Sequence, residues 1–410
     1  MNLKAKSTAA VYWSAIEAIG KNGIQFLIAI VLARLLSPAD FGVLAMLTFF
    51  TGIAMVFVDS GFGAAVIQKG QNVSPEETNA VFFFNVLAAA VMAIALCLGA
   101  RSIAEFFALP ILEFLTYFMA GNVVVTALGA LHANLLARDL DFKTQARISM
   151  IATFLSGLVG IALAIMECGV WSLAGQMFAS TVITTALLWY WRAWRPSERP
   201  RFSSLRGLFS FGSYLFLSGL LNAFYGRFTS LLIGKAFSPA DLGYFVRADH
   251  TQQLPTSIIS NVLNRVAFPI FAAAKNDKEL LVRGVRKAIV ALMTINVPMM
   301  MGLAAVAEPL VLVLFGEKWL PSVTLLRILC IAGIFWPLHV INLSVLKAQG
   351  HSNLFFWLDV VKKAIGISLT LLAATMSLEM VAWAQVLIGF VSFLLNALFT
   401  GRDLGYSSMR

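Results

Sequence analysis

Eight ionisable side chains lie inside stretches that are otherwise apolar: Glu17, Lys21, Asp59, Arg227, Arg247, Asp249, Arg265 and Arg327. Such groups are costly in a hydrocarbon surround and normally face a bundle interior or a wet cavity. Five of the eight are cations and three are anions, an excess that suits an anionic ligand and opposes a cationic one. Two arginines, Arg227 and Arg247, are expected at comparable depth on consecutive outer half-spans. A guanidinium stays charged when dehydrated, and its planar fork matches phosphate oxygens. Together they predict a binding site for a phosphate or pyrophosphate, with Lys21 assisting from the inner half. Arg265 and Arg327 fall near span ends and are expected to snorkel toward the interface.

The carboxylates suggest ion coupling. Glu17 and Lys21 are spaced to pair on one helix face, and by residue count Asp59 on the returning helix sits level with Lys21. That trio reads either as self-neutralised packing or as a protonatable carboxylate that exchanges its charge partner during a cycle. Asp59 is the expected seat of coupling, with Asp249 as a second candidate and Glu17 as a charge partner. The stretch Arg247-Ala-Asp249-His250-Thr-Gln252-Gln253-Leu-Pro255-Thr-Ser257 is too polar to face lipid. His250, Gln252 and Gln253 are expected to line a cavity. Pro255, Pro298 and Pro337 each delete a backbone hydrogen bond and are candidate gating kinks.

Enzyme signals are thin. Asp139-Leu-Asp141 has the spacing of a metal-dependent sugar transferase, but it lies in a short loop with no nucleotide-binding domain around it. Four histidines (His132, His250, His339, His351) and three cysteines (Cys97, Cys168, Cys330) show no metal spacing and no disulfide framework. No cofactor and no metal are expected, and the protein is read as a non-enzyme.

These residues must be positioned by membrane helices. The 410 residues are 60% hydrophobic and 12% charged, which excludes a globule with a polar skin. Runs near 20 apolar residues recur, each enough to cross a core of ~30 Å as a helix; the alternating segments of a β-barrel are missing. Twelve spans are expected, roughly 11–34, 41–67, 78–100, 112–136, 146–167, 170–191, 208–234, 243–271, 286–307, 323–346, 355–376 and 380–400. The first is read as a retained helix, since it is long, holds Glu17 and Lys21 and lacks a cleavage site. With the amino terminus inside, most of the 30 Lys/Arg fall on the cytoplasmic side. Arg192, Arg195, Arg199, Arg201 and Arg206 share one loop, and Lys275, Lys278, Arg283, Arg286 and Lys287 another; only Arg34, Arg101, Lys235 and Lys318 fall outside. This asymmetry places both termini in the cytoplasm and explains the net charge of +10 without nucleic acid.

The chain is also a doubled unit. Ser37-Pro38-Ala39-Asp40-Phe41-Gly42 returns as Ser238-Pro239-Ala240-Asp241-Leu242-Gly243, in each copy after an apolar run ending in a cation and before another. The residue types are those of a helix start. An Arg/Pro-rich cytoplasmic linker, 193–207, is expected to separate an N-lobe of spans 1–6 (1–192) from a C-lobe of spans 7–12 (208–410). Six is even, so the halves are expected to be parallel repeats. Each half also holds an apolar outer segment with one proline, Ile103–Phe114 and Glu308–Val323, read as interfacial or re-entrant or else as a long loop.

Leu32-Ala-Arg34-Leu-Leu-Ser-Pro-Ala-Asp-Phe-Gly42 and Asp59-Ser-Gly-Phe-Gly-Ala-Ala-Val-Ile-Gln68 resemble the first two helices of the polysaccharide transporters. These form the oligosaccharide-flippase branch of the multidrug/oligosaccharidyl-lipid/polysaccharide exporter superfamily. Leu242-Gly-Tyr-Phe-Val-Arg247-Ala-Asp, with Leu254-Pro255 and Val266-Ala-Phe-Pro-Ile-Phe271, looks like that family's eighth span. The resemblance implies an all-α, V-shaped fold of two six-helix lobes. It also implies export of undecaprenyl-pyrophosphate-linked sugars across the bacterial inner membrane; the leading expectation is a flippase working by alternating access and coupled to a proton or sodium gradient. Many relatives carry two further carboxy-terminal helices, whereas this chain stops after span 12. The expected partners are the lipid-linked oligosaccharide, membrane lipids and a polysaccharide polymerase or assembly complex, with the protein a monomer. Other readings are a peptidoglycan-precursor flippase of the same fold, a drug/cation antiporter that the cationic excess opposes, and a membrane polymerase or transferase acting on lipid-linked sugar.

Overall fold

The computed structural model describes residues 3–196, 205–273, 278–349 and 352–404, and for some helical stretches, 257–273 among them, the backbone alone. Arg199, Arg201 and Lys275 lie outside the described residues, as does the side chain of Arg265.

Every regular element among the described residues is helical, and the chain forms two compact units. The first, Met1–Lys235, holds α1 (Leu3–Leu35), α2 (Pro38–Asp59), α3 (Phe62–Lys69), α4 (Pro75–Phe107), α5 (Ile111–Arg138), α6 (Phe142–Ile165), α7 (Val170–Trp191) and α8 (Arg206–Ala236). The second, Ala236–Arg410, holds α9 (Pro239–Ala273), α10 (Lys278–Ala305), α11 (Ala307–Leu314), α12 (Ser322–Gln349), α13 (Ser352–Ala374) and α14 (Leu378–Leu404). Eight stretches among the described residues are long and apolar enough to cross a membrane by themselves. Helices α8, α9, α12 and α13 match them in length, with 31, 35, 28 and 23 residues. Large apolar side chains such as Ile19, Leu98 and Ile165 stand exposed on the helix backs, which suits a lipid surround and not an aqueous one. In the first unit α4 packs on α5, α6 on α7 and α1 on α6; in the second α12 is central, against α9, α10 and α14.

The repeated sequence is a repeated structure. Ser37 donates its hydroxyl and N–H to the Asp40 carboxylate at 2.6 and 2.9 Å, and Asp40 N–H donates back to Ser37 Oγ at 3.3 Å. Ser238 and Asp241 make the same three bonds at 2.7, 3.1 and 3.1 Å. Each is a capping box that satisfies orphan donors at a helix start, with Pro preset at the first helical position.

Two expectations change. The second span is broken: α2 ends at Asp59, Ser60 (φ 47°) and Gly61 (φ 74°) are left-handed, and α3 restarts the helix. The break frees carbonyls of the last turn of α2. Asn85, fully buried and with its amide turned to donate, meets Val58 O at 2.9 Å. The outer segment 103–114 is neither re-entrant nor a long loop. Helix α4 runs to Phe107 and closes on left-handed Ala108, and α5 begins at Ile111. Only 308–323 holds a separate piece, α11 followed by a 3₁₀ turn at Glu317–Trp319.

The Asp139-Leu-Asp141 pattern is structural. Asp139 pairs with Arg138 at 2.9 Å and with Arg192 at 2.5 Å, tying α5 to the end of α7. Asp141 caps α6, accepting from Thr144 N–H at 3.1 Å. Burial would raise the Asp139 carboxyl, but hydrogen bonds from Arg138 and Arg192 outweigh it and hold it below the usual carboxylate range. A depressed carboxyl stabilises the fold above its unfolded value of ~3.9 and loses that contribution as pH falls through the lower folded value. Thermal unfolding in detergent is therefore expected to steepen below about pH 4 in the native chain and to flatten in Asp139→Asn, which is less stable at neutral pH and equal at the acid end.

Pro337, inside α12, has no N–H to offer the carbonyl of Gly333 four residues earlier. Asn296 of α10, fully buried, donates to that carbonyl at 3.2 Å and to Ile334 O at 3.3 Å. Asn296→Leu is expected to cost about 1–2 kcal/mol. In a Pro337→Ala background the restored N–H takes the Gly333 carbonyl, so the same change should cost measurably less in a double-mutant cycle. Equal costs in both backgrounds would detach Asn296 from the proline.

Candidate functional site

In the first unit the key contact is between α8 and α2. Arg227 lays its guanidinium flat on Gly52: a Cβ at position 52 would lie 2.6 Å from Arg227 Cζ and 2.8 Å from Nε. Only glycine leaves room for that approach. Phe224, three residues before Arg227, packs edge-on against Phe49 of α2 with ring centroids 5.5 Å apart, which fixes the register of the two helices. Gly52 and Asp59 are seven residues apart, so they share one face of α2 about 10 Å apart. Arg227 thus reaches the side of α2 that ends in the helix break.

Asp59 is exposed at that break. A Cβ on Gly63 would meet Asp59 Oδ1 at 2.7 Å and would collide with the Asn134 amide of α5, so Gly63 lets both polar groups crowd the start of α3. Gly61 is needed twice, for its left-handed φ of 74° and because Gly212 O of α8 touches the place a Cβ would fill. A discontinuous membrane helix carrying an ionisable group is a recurrent form of transporter binding site. On α1, Glu17 is half-buried and Lys21 exposed, and no ion pair joins them among the described residues. Their spacing permits a pair that the structure does not form.

The polar block of α9, in the second unit, is sorted by helix face. Ala248, Gln252 and Thr256 are buried, and Gln252 donates to Thr256 Oγ1 at 3.4 Å and to Met300 Sδ at 3.7 Å. A Cβ at Gly333 would overlap the Gln252 amide, so α12 is cut away to admit it. Gln252 therefore sits in the packed seam with α10 and α12. His250 and Gln253 are exposed on another face, where Gln253 donates to Asp249 Oδ2 at 2.8 Å. Arg247 takes a third direction: its guanidinium lies against the rings of Phe315 and Trp319, 5.0 and 5.1 Å from their centroids, and the two rings meet edge-on with centroids 6.3 Å apart, forming a corner that receives it. Those rings are 1% and 0% exposed and belong to the segment after α11. A corner of two aromatic rings orients a guanidinium as well as holding it, because cation–π contact with both rings restricts the directions in which its N–H groups can still donate. Arg227 and Arg247 belong to different compact units.

Of the other expected residues, Arg327 is exposed and pairs with the exposed Glu308 at 3.3 Å. Pro255, Pro298 and Pro337 all lie inside uninterrupted helices. Among the described residues no group of three His, Cys, Asp or Glu could hold a metal ion.

Two cations of α13 were not expected. Lys362 is 5% exposed and donates to Asn396 Oδ1 of α14 at 3.2 Å; Lys363 is 8% exposed and pairs with Asp359 at 2.6 Å. They lie about 15 Å along α13 from its start, so they extend the cationic excess into the second unit's interior. Their sequence signal was their position well inside an apolar run.

Residues 31–324 match the family model described as "Polysaccharide biosynthesis protein". The chain is 30% identical over 390 residues to the teichuronic acid biosynthesis protein TuaB of Bacillus subtilis (strain 168), covering 94% of this chain and 80% of TuaB. It is 30% identical over 356 residues to the succinoglycan biosynthesis transport protein ExoT of Rhizobium meliloti (strain 1021), covering 85% of this chain and 71% of ExoT. The fold matches that of the lipid II flippase MurJ in an inward closed conformation with a TM-score of 0.79 at 12% identity, over 96% of this chain and 89% of MurJ. With these matches spanning nearly its whole length, the chain belongs to the polysaccharide biosynthesis protein family, as a multi-pass helical membrane protein with a flippase-type fold.

Proposed function

We propose that the protein is a flippase that moves an undecaprenyl-pyrophosphate-linked oligosaccharide from the cytoplasmic to the periplasmic leaflet of the bacterial inner membrane, by alternating access of its two six-span halves. The observation that carries this reading is the surplus of intramembrane cations on a chain whose relatives are named for polysaccharide biosynthesis and transport. A pyrophosphate crossing a low-dielectric barrier needs charge compensation along its path. Arg227 and Lys21 from the first unit and Arg247 from the second supply it, each as a charge-assisted donor. Asp59, at the helix break, and Asp249, held by Gln253, are the carboxylates proposed to couple transport to a proton or sodium gradient, with Glu17 as charge partner. His250 and Gln253 line the path, and Pro255, Pro298 and Pro337 give the helices places to bend. Both termini are cytoplasmic, the working unit is a monomer, and a polymerase or assembly complex receives the cargo.

Relatives named for teichuronic acid and succinoglycan favour a polysaccharide repeat unit over a peptidoglycan precursor. The test is reconstitution in liposomes with a fluorescent lipid-linked oligosaccharide loaded in one leaflet. Protection from an added glycan-binding reagent should be lost only with the protein present and should respond to an imposed ion gradient. Glycan-chain products formed by the purified protein would instead make it an enzyme and overturn the reading.

A further inference from the structure

The cavity of about 550 Å³ in the first unit is almost wholly apolar and runs along one stripe of α4: Met92, Leu96, Gly99, Ile103 and Phe106. Phe49 and Ile53 of α2 form its second wall and Leu231 of α8 closes it. The stripe spans fourteen residues, roughly 20 Å of helix, so the cavity is a slot for an extended chain. Its volume falls in the ~300–1,000 Å³ range of pockets that bury whole ligands. On α8, Arg227, Leu231 and Lys235 follow one another at i, i+4 and i+8, so one face presents a cation, the groove wall and a second cation. Lys235 Nζ donates to Phe106 O at 2.5 Å and lies 4.6 Å from the centroid of the Phe106 ring, which pins the rim of the groove.

Resting on the flippase reading above, we propose that this groove holds the isoprenoid chain of the lipid-linked cargo, with its phosphates passing between Arg227 and Lys235. Charge complementarity selects the occupant. Lys235 is at the end of α8, where the phosphate of any membrane lipid would lie. Arg227 lies two turns deeper, about 12 Å along the axis, and is held flat on Gly52 without snorkelling. A resident phospholipid keeps its phosphate at the interface and never reaches that depth; a lipid whose head crosses the membrane must.

Gly99 supplies the test, because a Cβ built there meets nothing within 4 Å. Gly99→Leu puts a good helix former into the groove at a position where an added Cβ is free, so its thermal stability should match the parent. The probe is undecaprenyl pyrophosphate carrying a diazirine on its chain, added to the purified full chain in nanodiscs and mapped by peptide mass spectrometry. Parent and Gly99→Ala are expected to be labelled on α2 and α4. In Gly99→Leu that label should fall at least tenfold, and glycolipid translocation should fall with it. Equal labelling of Gly99→Leu, or labelling displaced as readily by excess phosphatidylglycerol, would overturn the proposal and leave the flippase reading standing. A parent protein that translocates the glycolipid but is labelled elsewhere would do the same. A parent that neither binds the probe nor moves glycolipid would remove both.

Discussion

Replacing Gly52 with alanine is expected to cut glycolipid translocation about tenfold while the protein inserts and folds normally. The new methyl occupies the place where the Arg227 guanidinium now lies, yet the atoms it meets are the far end of a flexible side chain. The arginine can swing away, so little stability is lost, but its charge leaves the face of α2 that leads to Asp59. Loss of one charge-assisted hydrogen bond costs about 1.5–3 kcal/mol, so Arg227→Gln should lower translocation roughly 10–100-fold. If the glycine acts only through Arg227, the double variant will be no worse than Arg227→Gln alone, the non-additivity expected of two residues sharing one contact. Additive losses would mean that Gly52 serves helix packing, and wild-type translocation by Gly52→Ala would remove Arg227 from the phosphate path.

How much of this was legible in the chain depends on the range over which each feature is encoded. The capping boxes at Ser37 and Ser238 are written in four adjacent residues, and the structure forms both with the same three bonds. The break after Asp59 was also local, since Asp59-Ser60-Gly61-Phe62-Gly63 holds two glycines. Averaging hydropathy over a 20-residue window hides it, because flanking Val and Ile keep the mean high. The Glu17–Lys21 spacing was readable, but spacing on a helix gives opportunity and not geometry. Features that join distant segments left no trace. Nothing around Pro337 announces that Asn296, about forty residues earlier, will satisfy the carbonyl it orphans. Nor does the block at Arg247 reveal the rings that flank it, which arrive from an apolar outer segment readable as interfacial, re-entrant or a long loop. Lys362 and Lys363 escape a charge count for a different reason: although inside an apolar run, they fall in the half of the expected span 355–376 nearer its start, where lysines merge with the expected positive-inside signal.

Arg247→Lys is expected to be as damaging as Arg247→Ala, with translocation reduced at least tenfold in both. A lysine keeps the charge, but its compact ammonium has no plane to lay against a ring and hydrates strongly, so the corner formed by the two buried rings cannot hold it in one orientation. The rings contribute on their own account: a desolvated cation–π contact is worth about 2 kcal/mol. Both variants should therefore also lower the unfolding temperature, which separates enclosure from exposure to lipid. Trp319→Leu distinguishes orientation from charge. It leaves Arg247 in place with one wall gone, and translocation should fall while the charge of the unit is unchanged. Full rescue by lysine would show that only a positive charge is needed at 247. A Trp319→Leu variant with normal translocation and a lowered unfolding temperature would make the aromatic enclosure a structural clasp, leaving the phosphate path to Arg227 and Lys21. The three substitutions read out different things because the same two rings hold the cation and aim it.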